Sequence, residues 1–178
     1  MTERRGDGRR RQPSGQSMVE FALVLPVFLL IVFGLIDAGR LVFMNSTLSQ
    51  ASREAARTAS VEAYWVGRTD PSCGTFGGPV CPADTATLKA HMTAAANQMM
   101  APFGTIPGTS IHVICGANGS APPSGAWTAA VNAPTCTGRQ AQDLVSVRAV
   151  MTFQPLTPIA GSLIGPITLV GAATMVIN

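Results

Sequence analysis

The sequence is poor in charged and aromatic residues. Lys and Arg together number 12 and Asp and Glu 9, so charged residues make up 12% of the 178-residue chain, against roughly 25% in an ordinary soluble domain. Aromatic residues reach only 6%, whereas hydrophobic residues are 47% of the chain. Little charge with ordinary hydrophobicity excludes a typical soluble domain and requires the apolar residues to be concentrated in one part of the sequence.

Recognisable catalytic and metal-binding patterns are also absent. The sequence contains no nucleotide-binding loop, metalloprotease motif or nucleophile elbow. His112 precedes Cys115 by three residues, but no second ligand pair stands at a zinc-site spacing. His91, the other histidine, lies beside the apolar face of a predicted helix. We predict a protein without catalytic residues, cofactor, metal or small-molecule substrate.

The net positive charge comes from a short N-terminal arm. Residues 1–15 contain five arginines and two acidic residues, whereas the rest of the chain contains seven basic and seven acidic residues. A cationic face that binds nucleic acid is therefore not expected beyond the arm.

One long apolar run follows the arm. Met18–Ile36 comprises 19 residues with a single charge, Glu20, and as a helix it would extend roughly 28 Å, close to the thickness of a hydrocarbon core. The alternative is a buried core helix, but no other part of the chain could surround it. We predict that residues 18–36 span a membrane and that membrane lipid contacts them.

The flanking charges predict the orientation of this span. Five arginines precede it, which places the N-terminus in the cytoplasm and the later residues outside the membrane. A cleaved secretory signal would show the same charge pattern. However, no small-x-small site follows the run, because the next residues are Asp37-Ala-Gly-Arg40. A single-pass anchor is favoured.

The helical periodicity continues beyond the span. A stripe of apolar residues recurs at steps of three or four, which is the spacing of one helical face. Its members are Leu41, Met44, Leu48, Ala51, Ala55 and Ala59. We predict one continuous helix over residues 16–63, half in lipid and half projecting outward.

The remainder, residues 64–178, is predicted to form a small outer head. Glycines and prolines mark residues 67–83 as a loop. A helix is expected after an Asp84 N-cap and before Pro102, with Leu88, Met92, Ala95, Ala96 and Met99 on its apolar face. Strands are predicted at residues 111–115, 145–153 and 167–178. The last is apolar on both sides, so it is either central or poorly resolved by its pattern. The fold class is therefore α+β and membrane-anchored, with an antiparallel sheet and one additional helix in the outer head.

All four cysteines lie on the predicted outer side of the membrane, where an oxidising compartment favours two disulfides. Three connectivities are possible. Sequence order favours Cys73–Cys81 and Cys115–Cys136, since each pair closes a loop rich in glycine and proline.

The junction between arm and span resembles the processing site of a type IV prepilin: a basic arm, Gly15, then Glu20 five positions later and an apolar helix. The resemblance implies cleavage by a prepilin peptidase between Gly15 and Gln16. Glu20 would then lie one helical turn from the new amine of Gln16 and guide subunit docking, with Phe21 beside it at the same assembly surface. A carboxylate that simply reaches the lipid headgroups is the alternative for Glu20.

A narrower resemblance covers about residues 15–57. The stretch VEFALVLP at 19–26, the small acidic/Gly/Arg cluster at 37–40 and SREAAR at 52–57 are similar to the TadE-like family of the tight adherence (Flp) pilus system. The end of the chain, with residues 145–153, the PLTP sequence at 155–158 and a final apolar stretch, is also similar. Because Phe21 stands where major Flp pilins carry Tyr, and because the chain is much longer than theirs, the resemblance implies a minor pilin or pseudopilin.

Pro26 lacks an amide hydrogen and is expected to kink the helix near Ala22; a tolerated membrane proline without function is the alternative. The family resemblance implies other pilin subunits and the pilus assembly platform as partners, and a location in a bacterial inner membrane, with association to a pilus. The competing interpretation is an uncleaved, single-pass membrane protein whose outer part binds an envelope or surface partner.

Overall fold

The computed structural model describes residues 14–116, 136, 138–157, 161–162 and 164–178. In these ranges the chain forms two α-helices and three β-strands. They are α1 (Ser14–Glu62), α2 (Thr85–Met100), β1 (Ile111–Gly116), β2 (Leu144–Phe153) and β3 (Ile167–Val176). The long N-terminal helix, the second helix and the antiparallel sheet confirm the predicted α+β fold class.

The first helix is continuous over 49 residues, which corresponds to about 73 Å at the rise of an α-helix. It passes through Pro26 without interruption and ends in a short 3₁₀ turn, Ala63–Trp65. Among the described residues it is the one helix long and apolar enough to cross a membrane. From Gly15 to Ile36 its side chains are exposed, apart from the half-buried Val32.

The second half of α1 forms the spine of the core. The predicted apolar stripe is buried from Met44 onward, with Leu41 partly buried against it. Most of the buried hydrophobic positions from Met44 to Ala63 are alanines, which allow α2 and the sheet to approach the helix axis closely because their side chains are short. They are Ala51, Ala55, Ala56, Ala59 and Ala63, each 0% exposed.

The sheet has the order β1-β2-β3 and is antiparallel throughout. Val147 of β2 faces Val113 on one side and Ala173 on the other. In the predicted alternation of β2, Val147 and its neighbours two residues away are buried because this face packs on α1. Of the two alternatives left open for the third strand, the central position is wrong, because β2 is central and β3 lies at an edge of the sheet.

The second helix begins as predicted. The carboxylate of Asp84 accepts the backbone N–H of Thr87 at 2.7 Å and so caps the first turn. One predicted core residue is wrong, because Met99 is 42% exposed whereas Met100 is fully buried. The buried row advances by four residues at each step, through Leu88, Met92, Ala96 and Met100.

The strand β3 runs beside α1 in the same direction, away from the predicted span. Near its middle, the space for a Cβ at Gly171 is taken by the Leu48 carbonyl oxygen, 2.5 Å away. At the far end, the Asn178 amide donates to the Ser60 carbonyl at 3.1 Å. The chain from Gly171 to Asn178 therefore lies alongside α1 from Leu48 to Ser60.

Candidate functional site

The predicted cleavage junction lies at the first turn of α1. An added Cβ at Gly15 would meet no atom of the described residues within 4 Å, so in this part of the structure the backbone is open to a protein that approaches it. The five arginines of the arm lie outside the described residues. The exposed position of Gly15 is compatible with peptidase access, but cleavage between Gly15 and Gln16 stays a prediction.

The two predicted assembly residues lie on the exposed surface of the same helix. The side-chain amide of Gln16 donates a hydrogen bond to Glu20 Oε1 at 3.2 Å. Residues 16 and 20 therefore share one face, as their four-residue spacing requires. Phe21 is 65% exposed next to them. Among the described residues, the side chains of Glu20 and Phe21 are not packed into the core. Their role in assembly stays a prediction.

Pro26 lies inside α1, ten residues after Gln16. It cannot donate the hydrogen bond that the Ala22 carbonyl would otherwise accept. The α-helix nevertheless continues on both sides of Pro26. The kink stays a prediction.

Just beyond the predicted span, Asp37 of the Asp-Ala-Gly-Arg cluster at residues 37–40 contacts the C-terminal part of the chain. Asp37 accepts the backbone amides of Leu156 and Thr157, each at 3.1 Å, and the Thr157 hydroxyl at 2.8 Å. We call Asp37, Leu156 and Thr157 the membrane-edge clamp. The clamp joins two motif segments that lie about 120 residues apart in sequence, and nothing in the sequence pattern linked them.

The clamp has an electrostatic signature. The Thr157 hydroxyl, followed by the Leu156 amide, holds the pKa of Asp37 below its ordinary value. Arg40 Nη1 lies 3.6 Å from Asp37 Oδ1, and the Arg40 guanidinium lies 5.6 Å from the centre of the Phe153 ring. Asp37 is therefore a charged hydrogen-bond acceptor that attaches the turn after β2 to the start of the outer half of α1.

The SREAAR segment divides between core and surface. Ser52, Ala55 and Ala56 are fully buried, while the guanidinium-bearing residues Arg53 and Arg57 are exposed. The alanines allow close packing of α1 on the rest of the core, and the arginines face away from it. This motif therefore has a packing role along one side of the helix.

The C-terminal end of α1 carries a Glu–His contact that the sequence analysis did not predict. Glu62, buried at the end of α1, lies 2.7 Å from Nδ1 of His91 on α2. His91 was interpreted only as a residue beside the apolar face of its helix. The only sequence signal was the placement of both residues toward one side of their helices, which does not reveal that the two helices meet.

Two disulfides lie in the outer head. Cys73 is bonded to Cys81 and Cys115 to Cys136, which are the pairs expected from sequence order. The first closes a loop whose tip, Phe76, is fully exposed. Since Cys115 is oxidised, it is not available as a partner to His112 in a metal site. Within the described ranges, no group of three or more His, Cys, Asp or Glu side chains could hold a metal.

The comparisons with known proteins concern the first helix. No curated protein and no solved structure matches the chain. The model of the TadE-like protein family matches residues 15–57. This match begins at the predicted junction, contains the span and the Asp37 end of the clamp, and stops after SREAAR. It confirms the resemblance seen in the sequence, because residues 15–57 are similar to the TadE-like protein family.

Proposed function

We propose that this chain is a minor pilin or pseudopilin of a tight adherence (Flp) pilus system, a non-enzymatic component of pilus biogenesis or secretion. The observation that carries the proposal is the TadE-like match over residues 15–57. The segment that matches is the one that would be cut, anchored and assembled. The proposed partners are a prepilin peptidase, other pilin or pseudopilin subunits and the pilus assembly platform.

The proposed location is the bacterial inner membrane, with the arm in the cytoplasm and the outer head on the other side. The arginine-rich arm supports this orientation by the positive-inside rule. The two disulfides support it as well, because disulfides persist in oxidising compartments outside the cytoplasm. The outer half of α1 then supports the outer head at the membrane surface.

In this proposal the peptidase cuts after Gly15 and releases the basic arm. The new α-amine of Gln16 is one turn from Glu20, where the neutral Gln16 amide already donates a hydrogen bond. An unpaired carboxylate is costly within a membrane. Pairing with an amine, on its own chain or on a neighbouring subunit, would lower that cost and favour docking of one subunit on the next.

The test is the N-terminus of the membrane-bound protein in cells that contain the cognate peptidase. Intact mass and terminal peptide sequencing should show a chain that starts at Gln16. In the Gly15→Leu variant the arm should remain attached. Gly34→Leu is the matched control, because a Cβ at either glycine meets no atom within 4 Å; this variant should be processed normally.

A wild-type chain that keeps its arm in those cells would refute processing and leave the alternative of an uncleaved single-pass anchor. The role of Glu20 is tested separately with Glu20→Gln. This variant should be cleaved but largely lost from the fraction of subunits released by shearing. Wild-type recovery in that fraction would contradict the docking role.

A further inference from the structure

We propose that the described residues between β2 and β3 form a second membrane contact, in the lipid interface beside the span, with Leu156 and Ile164 turned into lipid. This inference rests on the membrane span and on the position of Asp37. It does not require cleavage after Gly15.

The first argument is the place of the connection in the fold. The membrane-edge clamp bonds Leu156 and Thr157 directly to Asp37, and Asp37 is the first residue after the predicted span. The Gly161 amide donates to the Thr157 carbonyl at 2.9 Å, and the Gly165 amide donates to the Gly161 carbonyl at 3.1 Å. Both described parts of the connection are thus linked to Asp37 through successive hydrogen bonds.

The register of β3 on α1 gives the same depth independently. Gly171 is level with Leu48. From Leu48 back to Asp37 the helix descends about 17 Å, and from Gly171 back to Ile167, the first residue of β3, the strand descends about 13 Å. Ile164 precedes Ile167 by three more residues. Ile167 therefore lies within about 4 Å of the level of Asp37, inside a headgroup layer of about 5–8 Å on each side of a bilayer.

The second argument is chemical. Leu156 is 68% exposed and Ile164 is 66% exposed. No charged residue occurs from Gln154 to the last residue, Asn178. Large apolar side chains in an uncharged segment are unfavourable in water but suited to the lipid interface. Because Leu156 is hydrogen-bonded to Asp37, the first residue after the exposed apolar run of α1, lipid is the occupant that the fold favours.

The experiment uses the full chain in nanodiscs that hold one copy each, which excludes a second copy as the occupant. A fluorophore is attached at Ile164→Cys or, separately, at Leu156→Cys. The matched control is Phe76→Cys, another exposed apolar position, at the far end of the outer head. Quenching is measured with lipids that carry a nitroxide near the top of the acyl chain, and with a water-soluble quencher.

We expect lipid quenching several-fold stronger at positions 156 and 164 than at 76, and several-fold weaker quenching from water. Lipid quenching equal to that at position 76 would overturn the proposal. Protection from water without lipid quenching would also overturn it, since protein would then cover the surface. The Gly15→Leu variant should give the same quenching, so failure of processing and failure of this contact are distinguishable.

Discussion

The contact between Gly171 and α1 allows a quantitative prediction. An added Cβ at this position would lie 2.5 Å from the Leu48 carbonyl oxygen, 2.9 Å from the Leu48 carbonyl carbon and 3.0 Å from Ser52 Oγ. Ordinary van der Waals contact begins near 3.4 Å, so β3 and α1 would have to separate by about 0.9 Å. Two of the three atoms belong to helix backbone and cannot rotate away.

Gly171→Ala should therefore destabilise the outer head. A gap of this size forfeits about a quarter to a half of the dispersion attraction of the atoms involved, and overpacking of a core typically costs about 1–3 kcal/mol. We expect a loss of that order in the free energy of unfolding. Gly171→Val should be worse, because it adds bulk toward the same backbone. Ser52→Ala should not rescue Gly171→Ala, since it leaves the Leu48 backbone in place.

The assay is urea unfolding of the full chain in detergent micelles, followed by tryptophan fluorescence. Gly108→Ala is the control, because its Cβ would have one ordinary contact, 3.8 Å from Thr93 Oγ1. The midpoint of that variant should match or slightly exceed the wild type. Equal midpoints for Gly171→Ala and Gly108→Ala would refute the close approach of β3 to α1.

Three further outcomes are expected. Replacing Cys115 and Cys136 together by Ser should cost about 3 kcal/mol in the same unfolding assay, from a closed loop with a sequence separation of 21; an unchanged midpoint would contradict this. Met92→Ala should lower the free energy of unfolding by about 2–5 kcal/mol because Met92 is fully buried. Met99→Ala should change the midpoint little because Met99 is 42% exposed. Similar losses in both variants would contradict the assigned buried face of α2. Hydrogen bonds from the Thr87 amide and then from the Thr87 hydroxyl hold the pKa of Asp84 below its ordinary value. The contribution of Asp84 to stability is therefore present above about pH 4 and is lost as the pH falls through the folded pKa. Urea midpoints measured from pH 7 to pH 3 should decline less in Asp84→Asn than in the wild type, and an equal decline would contradict this linkage.

Local patterns in the sequence were sufficient to predict the individual helices and strands. The apolar run at 18–36 and the stripe that follows it predicted the long helix, because helical periodicity is written in consecutive residues. The alternation around Val147 predicted β2 and its buried face for the same reason. The error at Met99 arose because positions 99 and 100 both fit the spacing of one face, and only packing selects between them.

The candidate site divides in a similar way. The predicted junction at Gly15 and Glu20 is a contiguous motif, so the sequence alone could suggest it; the family match covers both residues, and cleavage there stays a prediction. Glu62 and His91 belong to different helices, and no pattern within either helix predicted their 2.7 Å contact. Likewise, β3 looked suited to a central position because its residues are apolar on both sides.

The sequence by itself thus determined an apolar span, a continuous helix with an alanine-rich face, and the order of helices and strands. The tertiary structure decided that Asp37 bonds the turn at Thr157 and that Gly171 meets the Leu48 backbone. The physical reason is that periodicity reports which face of an element is apolar, whereas contacts between distant elements depend on how their surfaces fit together. The bonding of Asp37 to the turn at Thr157 and the depth proposed for the described residues between β2 and β3 depend on that fit.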